Sequence, residues 1–264
     1  MASPFVLKIA SYIAVLVGML WGERLAPFAG QAQKKGARIR FHLGLGLVNG
    51  LVLYLLVLWP TLLSLAWVQQ HHFGLARFIG LQGWREISVS ILVLDLFAYW
   101  VHRARHRIDF LWRFHRAHHS DTEVDVTTAS RFHVGDLVIS GLFSCLAIIL
   151  WGPSLWAFAA HEMVSAAFRQ FAHGNIRLPA KLLNELEDAL VTPRMHRWHH
   201  LLNRDGGADN FATIFCSWDR VFGTYRLAEE PAGEGFARAG LKAPRGEETM
   251  KAGAFLLAPF RNDR

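Results

Sequence analysis

Cysteine is nearly missing from this chain: only Cys145 and Cys216 occur in 264 residues, the first inside an apolar stretch and neither in a CxxC pair. That scarcity excludes a disulfide framework, a thiolate-held iron–sulfur cluster and a zinc ribbon. No glycine-rich βα unit of the dinucleotide-binding kind is visible, and no haem-domain region. One fragment, His161-Glu162-Met-Val-Ser165, begins like the zinc-protease HExxH but has serine where the second histidine is needed, so the two-ligand helix face is absent. Acidic residues are also in short supply, 21 against 28 lysines and arginines, for a net charge of +7. The arginines do not form a nucleic-acid-binding face; many stand in or beside histidine clusters and at the ends of apolar segments, where anionic lipid headgroups are the fitting partners.

What the chain has in excess is apolar length. Hydrophobic residues make up 52% of it and mean hydropathy is +0.21, which favours one membrane-embedded domain over a soluble one. The first segment, Phe5 to Leu20, is interrupted only by Lys8 and is followed by Trp21-Gly-Glu-Arg24. It therefore reads as an anchor helix rather than a signal peptide cut near Ala26 or Ala29. A second segment runs from Phe41 to Val68. The intervening loop, Gln31 to Arg40, carries Lys34, Lys35, Arg38 and Arg40, more than the Arg77 and Arg85 of Gln69 to Glu86, so it is expected to face the cytoplasm. The third segment, Ile87 to Val101, is short for a span, and its helix is expected to continue through His106. Leu137 to Phe171 is broken by Trp151-Gly152-Pro153-Ser154, a turn signal that predicts a helical hairpin returning to the side it left.

From His173 the chain is polar, with short helices expected at Leu182 to Leu190 and from Thr192-Pro193 onward. Residues 1–228 form the expected membrane-embedded domain. Residues 229–264 read as a loosely ordered tail touching the membrane through Phe255 to Phe260. The expected fold is all-α: a polytopic membrane helical bundle of about four transmembrane segments, the last a hairpin, with a histidine-rich cap on the cytoplasmic side.

The cap is read from three clusters: His102-Arg-Ala-Arg-His106, His115-Arg-Ala-His118-His119 and His196-Arg-Trp-His199-His200. At ~100° per residue, positions i, i+3 and i+4 share a helix face, so each cluster is expected to aim its imidazoles at one point. Neutral imidazoles suit iron, copper or zinc, and eight exceed what one ion takes, which implies at least two metals. The plainer alternative is surface histidines among arginines on anionic lipid. A second alternative is a membrane metal protein without redox chemistry, such as a zinc-dependent lipid hydrolase or a metal carrier. Asp95 lies seven residues before His102 on the same face and is the leading carboxylate to orient it; Asn175, Asp188, Asp209 and Asp219 are weaker candidates. Tyr99 and Trp100 read as an interfacial belt, and His42, His71 and His72 as solvent-exposed or interfacial.

These clusters stand in a longer text: Asp95-Leu-Phe-Ala-Tyr99-Trp100-Val-His102, Leu111-Trp112-Arg113-Phe114-His115, Arg131-Phe132-His133, Phe171-Ala-His173-Gly-Asn175, Thr192-Pro193-Arg-Met-His196 and Trp218-Asp219-Arg220-Val-Phe222-Gly223-Thr224-Tyr225. Together they cover about half of the chain, and it resembles the fatty acid hydroxylase and sterol desaturase superfamily of membrane di-iron oxygenases. The resemblance implies a helical enzyme that uses two histidine-bound irons and O2 to hydroxylate or desaturate a lipid. It implies His173 as a ninth ligand beside the eight cluster histidines, and a separate electron-donor protein, since no donor domain is visible. Where the family often has proline and an acid after the third-block histidine, this chain has Val134-Gly135-Asp136, which leaves open whether His133 takes part; for His161, inside the apolar hairpin, a structural place is favoured over a ligand's. A bacterial cytoplasmic membrane, with the histidines facing the cytoplasm, is the expected location.

Overall fold

The computed structural model describes residues 3–30, 35–200, 209–226 and 250–261. Helix α1 (Pro4–Leu25) starts at Ser3, whose hydroxyl accepts from the Val6 N–H, with proline in its first turn where no N–H partner is needed. Helix α2 (Lys35–Val52) runs through a π-turn at Leu53–Val57 into α3 (Leu58–Gln70), so Phe41 to Val68 forms one long interrupted rod. The interruption sits where Val57 meets Gly141; a β-carbon there would lie 2.7 Å from a Val57 methyl, so glycine permits the close approach. The short α4 (Leu75–Phe78) leads to α5 (Gly83–Arg107), which carries the third apolar segment through His106 as expected, and α6 (Asp109–His119) follows at once.

A 3-10 turn at Val126–Ser130 precedes the hairpin of α7 (Val134–Trp151) and α8 (Leu155–His173). The hairpin breaks where Gly-Pro predicted it: Gly152 is left-handed (φ 73°), its N–H closes on the Ile148 carbonyl at 2.7 Å, and Ser154 caps α8. This turn is locked to the far end of the bundle. Gly74, at φ 101°, lies so close that a β-carbon would fall 2.5 Å from Gly152 Cα, and Glu86 accepts from both Arg77 and the Ser154 N–H at 2.6 Å. Both hairpin arms return to the opposite end, where Arg131 just before α7 and His173 closing α8 each meet His118. Short helices α9 (Ala180–Leu186), α10 (Pro193–His200), α11 (Ser217–Val221) and α12 (Ala252–Leu257) gather at that end.

Among the described residues, four helical stretches are long and apolar enough to cross a membrane: Pro4–Leu25, Lys35–Phe78, Gly83–Arg107 and Val134–Trp151. Their outer faces carry exposed Leu47, Leu51, Leu63, Leu142 and Leu146, the arrangement of a bundle solvated by lipid.

Several expectations are corrected by long-range contacts. Lys35 to Arg40 is helical rather than loop, and Arg38 is buried because Asp121 and Asp125 meet its guanidinium. His42 is fully buried, not exposed, with Nδ1 at 2.8 Å from the Thr127 hydroxyl; His71 and His72 are exposed. Tyr99 is core rather than interfacial belt, its hydroxyl 2.9 Å from that of Thr224, whereas Trp100 remains exposed. In the last segment Phe255 is buried against Phe41 and the Arg131 guanidinium, while Leu256, Leu257 and Phe260 stay exposed; residues 227–249 lie outside the described residues.

Candidate metal centre

The nine histidines converge at the end of the bundle where α5, α6, α8 and α10 meet. They sort into two groups, His102, His106, His115, His119 and His199 in one and His118, His173, His196 and His200 in the other, with ligand atoms within 4.8 Å of one another in each group. The groups adjoin: the His119 and His200 rings stack at 4.4 Å. Here the structure differs from the expectation that each cluster aims at one point. The i, i+4 pair of each HxxHH enters one group, and the i+3 histidine, rotated ~60° from the first, enters the other. Helices α6 and α10 thereby each contribute to both groups.

In the four-histidine group the Nε2 of His173 lies 3.0 Å from that of His118, 3.1 Å from that of His196 and 3.2 Å from that of His200. These are not hydrogen bonds that neutral imidazoles could all make. His173 Nδ1 sits 2.7 Å from the Arg169 carbonyl and His118 Nδ1 3.2 Å from the Arg131 carbonyl. Carbonyls only accept, so both Nδ1 atoms carry the proton and both Nε2 atoms present lone pairs to each other. Lone pairs at that distance repel unless a cation lies between them, and nitrogens ~2.0–2.1 Å from a common ion are spaced about 3.3 Å apart in a tetrahedron.

The five-histidine group repeats the pattern. His102 Nδ1 donates to the Phe211 carbonyl and His199 Nδ1 to the Asp209 carbonyl, both at 2.8 Å, and His115 Nδ1 meets the Asp136 carboxylate at 3.1 Å. Their outward nitrogens are spoken for, while Nε2 of His106, His115, His119 and His199 is buried with no hydrogen-bond partner among the described residues. Orphaned buried acceptors aimed at a common point are the mark of a ligand shell, and both groups fit transition-metal ions.

Burial supplies the required protonation state. It pushes the imidazoles of His115, His118, His119, His196 and His200 below their ordinary range and that of His199 to about 3, so all stay neutral and able to ligate. Aromatic rings wall the site: Phe132 stacks on His118 at 4.5 Å, and Trp112 and Phe211 lie 5.0 and 5.3 Å from His106.

The supporting residues differ from those expected. Asp95 does not reach a histidine; its carboxylate accepts from the Ile214 and Phe215 N–H groups and Trp218 Nε1 at 3.0–3.1 Å, tethering the segment that follows residue 208. Asp219 completes that tether by accepting from the Phe211 and Ala212 N–H groups, so Phe211 is held in place to receive His102. Asn175 pairs with the main chain of Ala29 instead of lying at the histidines, Asp209 contributes its carbonyl rather than its carboxylate, and Asp188 is exposed. His133 caps α7 by accepting from the Gly135 N–H and lies 3.1 Å from the Leu256 carbonyl, while His161 is buried in α8 outside both groups, 3.8 Å from Glu162.

Sequence reasoning missed the buried network behind His118. Arg131 donates to Ser120 Oγ at 2.8 Å and to the Ala117 carbonyl, while Arg38 pairs with Asp121 and Asp125. Burial drives the Asp121 carboxyl upward, but Arg38 and its neighbours outweigh it and pull it to about 2. The available signal was the position of both acids directly after the second cluster and of Arg131 in the Arg-Phe-His block.

A profile of the fatty acid hydroxylase family matches residues 87–224, just over half of the chain, and takes in every histidine of both groups. Human alkylglycerol monooxygenase is 30% identical over 53% of this chain and 31% of its own length. The ornithine lipid hydroxylase OlsE of Rhizobium tropici is 28% identical over 56% of this chain and 44% of its own, and human cholesterol 25-hydroxylase 26% over 56% and 53%. The chain thus spans about a third to a half of the curated relatives it matches, and no solved structure matches it. Lipid- and sterol-hydroxylating relatives, apolar spanning helices and paired histidine groups agree: this is an integral membrane protein that belongs to the fatty acid hydroxylase family.

Proposed function

We propose that this chain is a membrane-bound di-iron oxygenase that hydroxylates a lipid, fatty-acyl, sterol-like or isoprenoid, with O2 and two electrons from a separate donor protein. The observation that carries the reading is the pair of adjacent all-imidazole groups whose lone pairs converge at the end of an apolar bundle. All nine histidines would hold the ions, His102, His106, His115, His119 and His199 one of them and His118, His173, His196 and His200 the other. Bound iron would supply the activation of O2. In the overall balance one oxygen atom enters a C–H bond of the lipid, the other leaves as water, and two electrons and two protons are consumed.

The chain's own residues do the rest. Main-chain carbonyls of Phe211, Asp209, Arg131 and Arg169 fix the tautomers, and Phe132, Trp112 and Phe211 keep water from the reacting C–H bond. Relatives named as monooxygenases and hydroxylases favour hydroxylation over desaturation. Arg38, from the basic stretch between the first two apolar segments, is bound at the site end, which favours a site facing the cytoplasm of a bacterial inner membrane. A metal carrier would want ligands along a mid-membrane path, whereas these sit together at one end.

Comparative lipidomics tests the reading. Membranes from cells making the protein should contain a hydroxylated lipid that is missing without O2 and missing with His118→Ala or His199→Ala. A lipid change that persists without O2 points to the zinc-dependent hydrolase instead.

A further inference from the structure

Five of the nine cluster histidines have a described partner on Nδ1. Four of these partners are main-chain carbonyls, and one, on His115, is the carboxylate of Asp136. The difference is chemical. A carbonyl orients an imidazole, whereas a carboxylate also pushes charge into the ring and makes its Nε2 a stronger donor.

Asp136 is built to do this. It lies in the first turn of α7, 1% exposed, with one oxygen on His115 and the other 2.9 Å from Arg105 Nε. Arg105 is held by Ser140 Oγ at 2.5 Å, and that hydroxyl lies 2.6 Å from the main-chain carbonyl of Asp136 itself. Arg105, set between His102 and His106 in the sequence, is thus turned to the carboxylate and not to a lipid headgroup. One cation offsets the buried charge without touching His115 and leaves the second oxygen to the ring. In the four-histidine group the described Nδ1 partners, Arg131 and Arg169, are main-chain carbonyls of residues that themselves carry positive side chains.

On the reading of both groups as metal sites, we infer that Asp136 is a positioning residue that, through His115, makes the five-histidine group the tighter of the two. The two ions are therefore inequivalent, and the asymmetry is set by α7, a helix that contributes no histidine to either group.

The test is a Co(II) titration of the full-length protein, stripped with chelator in detergent micelles and followed by visible absorption and calorimetry. Wild type should take up two ions in separable steps. His115→Ala should remove the tighter step and His196→Ala the weaker, which assigns them. Asp136→Asn should weaken the tighter step alone by about 10–100-fold and shift its absorption, with Asp136→Glu restoring part of the affinity. A variant that titrates like wild type in both steps overturns the inference, as does one that weakens both steps alike with a lowered melting temperature, since that is a purely structural role. Failure of wild type to bind two ions removes the metal-centre reading itself, and the inference with it.

Discussion

Asp219→Ala probes the tether that places Phe211 against His102. The carboxylate is fully buried and accepts from the Phe211 N–H at 2.7 Å, the Ala212 N–H at 3.0 Å and the Thr224 hydroxyl at 2.8 Å. Alanine would strand two buried main-chain N–H groups at about 1–3 kcal/mol each, while Thr224 keeps its contact with Tyr99. Burial already pushes the Asp219 carboxyl up to about 6, so removing the charge returns part of that loss. The net expectation is a loss of about 2–4 kcal/mol, a melting temperature lower by roughly 5–15 °C. Thermal unfolding in micelles reads the stability and elemental analysis the retained metal, which should fall because the Phe211 carbonyl no longer fixes His102. The exposed Asp188→Ala should stay within about 0.5 kcal/mol of wild type. An Asp219→Ala protein that melts within about a degree of wild type and keeps its full metal content would refute the argument.

Trp151→Phe removes the 2.8 Å bond from the indole to Ser90 Oγ in a buried environment and should cost about 1–3 kcal/mol, whereas Trp156→Phe, on the exposed face, should be near neutral; equal unfolding midpoints would contradict this. Gly74→Ala forces a side chain into a left-handed position against Gly152 and should cost at least ~1–3 kcal/mol of strain, read as a lower melting temperature; no change would show that the far-end lock is loose. The lowered imidazole values give a pH dependence for the chelator-stripped protein. Protons bind the unfolded chain first, near ~6.5, so stability should fall as pH drops from about 7 to about 5, by up to ~1.4 kcal/mol per unit for each histidine; a flat melting curve across that range would count against it.

The spanning helices and the hairpin were legible in the sequence because their signals are local: apolar runs of membrane-spanning length, and Gly152-Pro153 where the chain must turn. The histidines were legible because i, i+3, i+4 spacing is itself a helix-face geometry. Their division into groups of five and four was not, since spacing gives the angle between two side chains but not which neighbouring helix stands opposite. Asp95 shows the same limit. Its place on the His102 face suggested a partner on its own helix, but the segment at residues 211–218 lacks periodicity and its approach cannot be read from pattern. Arg38 and His42 lie in a stretch that reads as basic loop and helix start, and only the fold brings Asp121 and Asp125 to them.

The most direct test of the whole account is isotopic. Membranes containing the iron-loaded protein and an electron donor are supplied with 18O2, and the lipid product is read by mass spectrometry. One labelled oxygen atom is expected in the product, and none when His118 or His199 is replaced by alanine. A product that takes its oxygen from water, or that forms equally with those histidines replaced, would contradict it.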